Sequence, residues 1–177
     1  MKKRRLLTGA VALTAVAALG LATYRKSTVE ITSIATMLMQ LEALKSPDSV
    51  TKLVAKTGWA PYKVFVHLAQ SIQYSMTGYP EMKPELFQHT AGSVAFYAFS
   101  VAGAMRHNLT EPIPGAPVIA DTGNVSEAID LVIKALQAFQ SYSGELRPHF
   151  AYGVLSKTEF ANAHVMHIEN HLKEIQF

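Results

Sequence analysis

After Lys26, apolar residues recur every three to four positions in successive stretches, the period of a helix with one buried stripe. The first predicted helix runs from about Val29 to Lys45, with Ile31, Ile34, Leu38, Leu41 and Leu44 on one side and Pro47-Asp48 closing it. The second begins near Ala60, with Pro61 in the first turn, where its missing N–H costs nothing. It carries Val64, His67, Leu68 and Ser71 along one side and stops at Gly78-Tyr79-Pro80. The third is predicted from Pro84 to about His107, with Leu86, Phe87, Val94, Phe96, Tyr97 and Val101 as its apolar positions. A connection of 17 residues follows, NLTEPIPGAPVIADTGN. That is long for a helix–helix joint, and such loops are either functional or disordered.

The fourth helix opens with Asn124 and Glu127 in capping-box spacing and places Ile129, Val132, Leu136 and Phe139 on its stripe before Gly144. The last opens with Ser156-Lys-Thr-Glu159, a full capping-box signature, and continues to about Ile175. No segment alternates with period 2, and no internal repeat is present. The pattern predicts an all-α chain, a four-helix bundle with an accessory helix.

The first 26 residues follow a different pattern. Lys2, Lys3, Arg4 and Arg5 precede an uncharged apolar run from Leu6 to Tyr24, 19 residues long, which Arg25 and Lys26 close. This is the layout of a signal peptide or N-terminal membrane anchor. Arg4-Arg5 followed by Leu6-Leu7 resembles in part a twin-arginine export signal, and a Sec-type anchor held by the positive-inside rule is the plainer reading. Both predict that residues 27–177 form one helical domain on the extracytoplasmic face, tethered to the membrane if residues 1–26 are not cleaved.

That division changes the charge argument. The whole chain carries 16 Lys and Arg against 13 Asp and Glu. Six of the basic residues lie at or before Lys26 and no acidic one does, so the remainder holds 10 against 13, a net −3. No basic face is left for nucleic acid. The chain has no cysteine, which excludes disulfides, thiolate nucleophiles and cysteine-based zinc sites. Exposed apolar helix faces leave a homodimer open.

The candidate chemistry lies in histidines. In HVMHIENHLKEI, His167 and His171 are four apart and His164 is three before His167, so all three share one side of the last helix. Interior imidazoles need partners for both ring nitrogens. Two readings follow: a metal with a second acceptor behind each ring, or core imidazoles bonded to Tyr, Gln or backbone. His67, mid-helix in VFVHLAQSIQYSMTGYP, reads in isolation as a satisfied core residue. In a bundle it can instead meet the HxxxH pair, giving three nitrogens and open coordination positions, a catalytic rather than structural type of site.

HLAQSIQYSMTGYP, HNLTEPIPGAP, PHFAYGVLSKTEF and HVMHIENHL, taken together over roughly residues 28–175, resemble the DinB-like (YfiT-like) superfamily of metal-binding bundles, specifically an exported branch of unknown function. The resemblance implies one histidine ligand from the second helix and an HxxxH pair from the last: His67, His167 and His171. His164 is the second choice as a ligand. The resemblance also implies a divalent-metal-dependent hydrolase or a thiol-dependent transferase acting on a small molecule. Imidazole ligands suit zinc, nickel or iron. The alternative is a non-enzymatic, membrane-tethered metal- or ligand-binding module, or a purely structural bundle.

Gln70 and Tyr74, one and two turns after His67, are the predicted pocket-lining residues, with core packing as the alternative for Tyr74. His149 in the loop after Pro148 is expected to be solvated, with a pocket mouth as its other placement. His107 is expected at the end of the third helix, where a cation suits the helix dipole. His89 favours no reading, and Glu111 is either a functional carboxylate of the long loop or part of a rigid surface turn.

Overall fold

Each long helix begins where the sequence supplies a cap or a proline. The computed structural model describes residues 31–56 and 58–176; the predicted signal or anchor lies outside them. Helix α1 is Ile34–Leu44, capped by Ser33, whose side chain accepts from the Thr36 N–H. It starts later than Val29 among the described residues because Ser33 must stay extended to cap it. A single turn, α2 (Pro47–Val50), leads to β1 (Val54–Ala55). Helix α3, Pro61–Thr77, has its proline in the first turn and ends at Gly78. After α4 (Glu85–Phe87), a π-helical turn (Gln88–Gly92) and α5 (Ser93–Ala102), the long loop reaches α6 (Val125–Ser141). Helix α7 is Lys157–Leu172, and β2 is Ile175–Gln176.

Helices α1, α3, α6 and α7 share one hydrophobic core. Helix α3 packs along α6 and against α7, and α1 packs on both α6 and α7. Phe65, Leu68, Leu136, Phe139, Phe160 and Met166 are all buried at this centre. Each such side chain contributes about 1.5–3 kcal/mol on burial. Lys45 also pairs with Asp130 at 2.5 Å, joining α1 to α6. Helix α7 is set at both ends. Ser156 and Glu159 form a reciprocal capping box at its start. Past its end, β2 pairs antiparallel with β1, Val54 opposite Gln176 and Ala55 opposite Ile175. Lys56 reinforces this clasp by donating from Nζ to the Lys173 carbonyl at 2.7 Å.

The predicted third helix is not one helix. Its apolar positions Leu86, Val94 and Tyr97 are exposed, and of the set only Phe96 is buried. The π turn breaks the register that would have put them on one face. Ser93 Oγ donates to the Gln88 carbonyl there, and Gln88 Nε2 donates to the Lys83 carbonyl. Gly92 is where the turn meets the 149–153 loop: a Cβ there would lie 1.9 Å from the Ala151 carbonyl oxygen. The helix then stops at Gly103, in the left-handed region with φ 61°. His107 therefore lies beyond the helix, and the dipole account of it fails. No helix among the described residues is long and apolar enough to cross a membrane.

Candidate metal centre

Helices α3 and α7 bring together residues a hundred positions apart. His67 sits mid-way along α3, and His167 and His171 occupy successive turns of α7. Each offers a ring nitrogen, and these all lie within 4.8 Å of one another. The ring centroids are 5.2 Å apart for His67–His167, 5.2 Å for His67–His171 and 4.9 Å for His167–His171. Imidazoles set tetrahedrally about one ion, at metal–nitrogen distances of about 2.0–2.1 Å, would have centroids about 5 Å apart. The spacing fits.

The polar accounting fits too. His67 Nδ1 and His171 Nε2 are buried without a hydrogen-bond partner; the third such atom among the described residues is Asn170 Nδ2. An unpaired buried nitrogen costs about 1–3 kcal/mol, and a metal would satisfy it. Burial, and secondarily His107, pushes the His67 imidazole down to about 4. Burial, then His67 and His107, takes His171 down to about 3. His167 is held well below its ordinary value by burial and then by His67 and His171. All three are therefore neutral at pH 7, the ligating form. Trp59 closes one side of the group, edge-on to His67 at 5.2 Å.

A cavity of about 250 Å³ reaches His67 and His167. Phe99, Met105, Ile113 and Phe150 contribute apolar wall, and Lys83, Arg106 and Glu111 contribute charge. Gln70 and Tyr74 do not line it; the Tyr74 ring packs on Tyr79 instead. His164 lines the cavity but stands outside the ligand group. Ser75 donates its hydroxyl proton to the Ile72 carbonyl and so accepts from His164 Nε2 at 3.2 Å. His164 stacks on Phe160 and meets Phe139 edge-on, and burial takes it down to about 3. Glu169 accepts from Thr32 and does not line the cavity.

His149 is not a solvated loop residue. It is buried and lines the cavity. Residues 149–153 close into a turn through paired backbone bonds between His149 and Gly153. Inside that turn, His149 Nδ1 accepts from the Ala151 and Tyr152 N–H groups at 3.1 and 3.3 Å, and its ring stacks on Tyr152. A nitrogen accepting two amides carries no proton, so the neutral ring holds its proton on Nε2. Burial, then His164, takes His149 down to about 3 and keeps it in that state.

His107 is the residue the sequence reading missed. Its ring lies 4.8 Å from that of His167 and 5.2 Å from that of His171. The conspicuous signal was Gly103, which ends the helix early enough for the following loop to turn back over the site. Glu111 lines the cavity from the same loop, whereas exposed His89 does not.

Residues 23–176 match the family model described as a protein of unknown function, DUF1569. The chain belongs to the DUF1569 family. The match to DUF1569 takes in both helices of the histidine group, the long loop and the 149–153 turn. No curated protein and no solved structure matches this DUF1569 chain.

Proposed function

We propose that this chain is an extracytoplasmic, DinB-like four-helix-bundle metalloenzyme with hydrolytic activity. His67, His167 and His171 hold one divalent ion, zinc, nickel or iron, beside a substrate cavity. One observation carries the reading: three neutral histidines from two helices, two of them with partnerless buried nitrogens, converge beside a cavity that two of them, His67 and His167, line. The DinB-like assignment is supported by the ligand pattern, one histidine from α3 and an HxxxH pair from α7, and by the four long helices that share a core. The export assignment is supported by the apolar run Leu6–Tyr24 between basic clusters.

Such an ion supplies Lewis acidity, polarising a substrate carbonyl or activating a nucleophile at neutral pH. The chain's own groups supply the rest. Phe99, Met105, Ile113 and Phe150 hold the apolar body of a small substrate and exclude water. Lys83 and Arg106 favour an anionic substituent. His149 presents a fixed Nε2–H donor to a substrate oxygen, and it does so as neutral imidazole. Glu111, the carboxylate of the cavity wall, takes up a proton during attack. A thiol-dependent transfer would use the same ligands, but an oxidising extracytoplasmic setting offers little free thiol.

The test is a panel of small aryl esters, lactones and amides bearing a carboxylate, assayed with the zinc- and nickel-loaded full chain. Turnover abolished by chelation and slowed in Glu111→Gln, with metal content unchanged, supports the proposal. A fully loaded chain inert across the panel leaves the non-enzymatic metal-holding module as the better reading.

A further inference from the structure

His107 adds a fourth imidazole to a group that the helices build with three. Its ring is 4.8 Å from that of His167 and 5.2 Å from that of His171, spacings like those among the three helix-borne rings, although its nitrogens stand outside the group of three that lies within 4.8 Å. It comes from the loop after Gly103 rather than from a helix. Buried Met105 anchors the loop just before it. Asn108 fixes the turn just after it, its side chain accepting from the Thr110 N–H at 3.1 Å. His107 Nδ1 donates to the Asn108 carbonyl at 2.9 Å. Metal-binding histidines characteristically donate their other ring N–H to such an acceptor, which fixes the tautomer and leaves the second nitrogen's lone pair free. Here that second nitrogen is Nε2.

From this geometry we infer that His107 is a fourth, displaceable metal ligand: its Nε2 closes the coordination of the ion held by His67, His167 and His171 until an anionic ligand in the cavity replaces it. The inference rests on the metal-site reading above. Displacement follows from position, since His107 is exposed and lines the same cavity as Lys83 and Arg106, whereas His67 and His171 are buried. An anion attracted by those two cations would therefore compete first with the exposed ligand, the one carried on a loop rather than on a helix. With a metal bound, four histidines would hold it until an anionic ligand took the place of His107.

The test uses the untagged full chain loaded with cobalt(II), whose visible spectrum reports coordination, and azide as the competing anion. The wild type should bind one cobalt with the intense bands of a four-coordinate site. His107→Ala should keep its cobalt, change that spectrum and bind azide at least roughly tenfold more tightly. His89→Ala should match the wild type in both readouts. His107→Cys guards against a variant that merely folds poorly. The chain contains no other cysteine, so a sulfur-to-cobalt charge-transfer band can come only from position 107. If cobalt binds but His107→Ala keeps the wild-type spectrum and azide affinity, or His107→Cys shows no such band, the fourth-ligand inference is overturned and the three-histidine site stands. If the wild type takes up no cobalt, both readings fall together.

Discussion

Replacing His171 by Leu should make the metal-free protein more stable and the metal-responsive protein disappear. His171 is 1% exposed, and its Nε2 has no hydrogen-bond partner. Removing one such atom with a side chain of similar bulk recovers about 1–3 kcal/mol. For a chain of this size that is about 2–4 °C per kcal/mol, so the metal-free variant should melt about 2–12 °C above wild type at pH 7. Zinc at about 100 times its dissociation constant should raise wild-type stability by about 2.7 kcal/mol and leave the variant unmoved. Acid adds a second signature. The His171 imidazole sits near 3 when folded against 6.5 unfolded. As pH falls below 6.5 the unfolded chain takes up a proton that the folded chain refuses, so wild-type stability declines. It declines by about 1.4 kcal/mol per pH unit through this residue until the folded value is reached, so the variant's advantage widens by that amount. Calorimetry of both chains with chelator and with zinc, from pH 7 to 4.5, measures all three quantities. A metal-free variant several degrees less stable than wild type, or a variant that gains as much from zinc, would show that His171 is a satisfied core residue and not a ligand.

Other outcomes follow from single contacts. Nitrogen NMR of the metal-free chain should show His149 as the Nε2–H tautomer down to pH 5; a protonated ring there would contradict the two amide bonds to Nδ1. Gly92→Ala would place a Cβ 1.9 Å from the Ala151 carbonyl. Chemical denaturation should register a loss of about 1–3 kcal/mol, while metal content is retained because the ligand helices α3 and α7 do not carry that contact. Ser156→Ala, which breaks the α7 capping box, should cost about 1 kcal/mol by the same assay, and an unchanged midpoint would argue against the cap.

That His167 and His171 share a face was legible from helical period alone, since residues four apart lie on one side; their meeting with His67 was left open by the spacing and was implied only by the family resemblance, because helix-to-helix packing is non-local. The capping residues Ser156 and Glu159 were legible for the same local reason. His149 and His107 were not, because non-local contacts place them. His149 is turned inward by backbone bonds within 149–153 and by the seat that Gly92 provides, and only the interleaved aromatics and Gly153 of PHFAYG hinted at it. His107 depends on where α5 ends, which Gly103 decides. The exposed stripe of Leu86, Val94 and Tyr97 misled for a related reason. A π turn shifts the register without leaving a mark in the hydrophobic pattern, so residues spaced for one face emerge on another. Strands of two residues, such as β1 and β2, carry no periodicity at all.

Metal content decides whether the three helix-borne histidines hold a metal. The full chain, purified in mild detergent without a polyhistidine tag, would be quantified by plasma mass spectrometry beside His67→Ala and His171→Ala. The wild type should carry one equivalent of zinc, nickel or iron, and both variants should lose it. A wild-type chain that carries no metal, even after reconstitution with zinc and nickel, would contradict the metal-site reading.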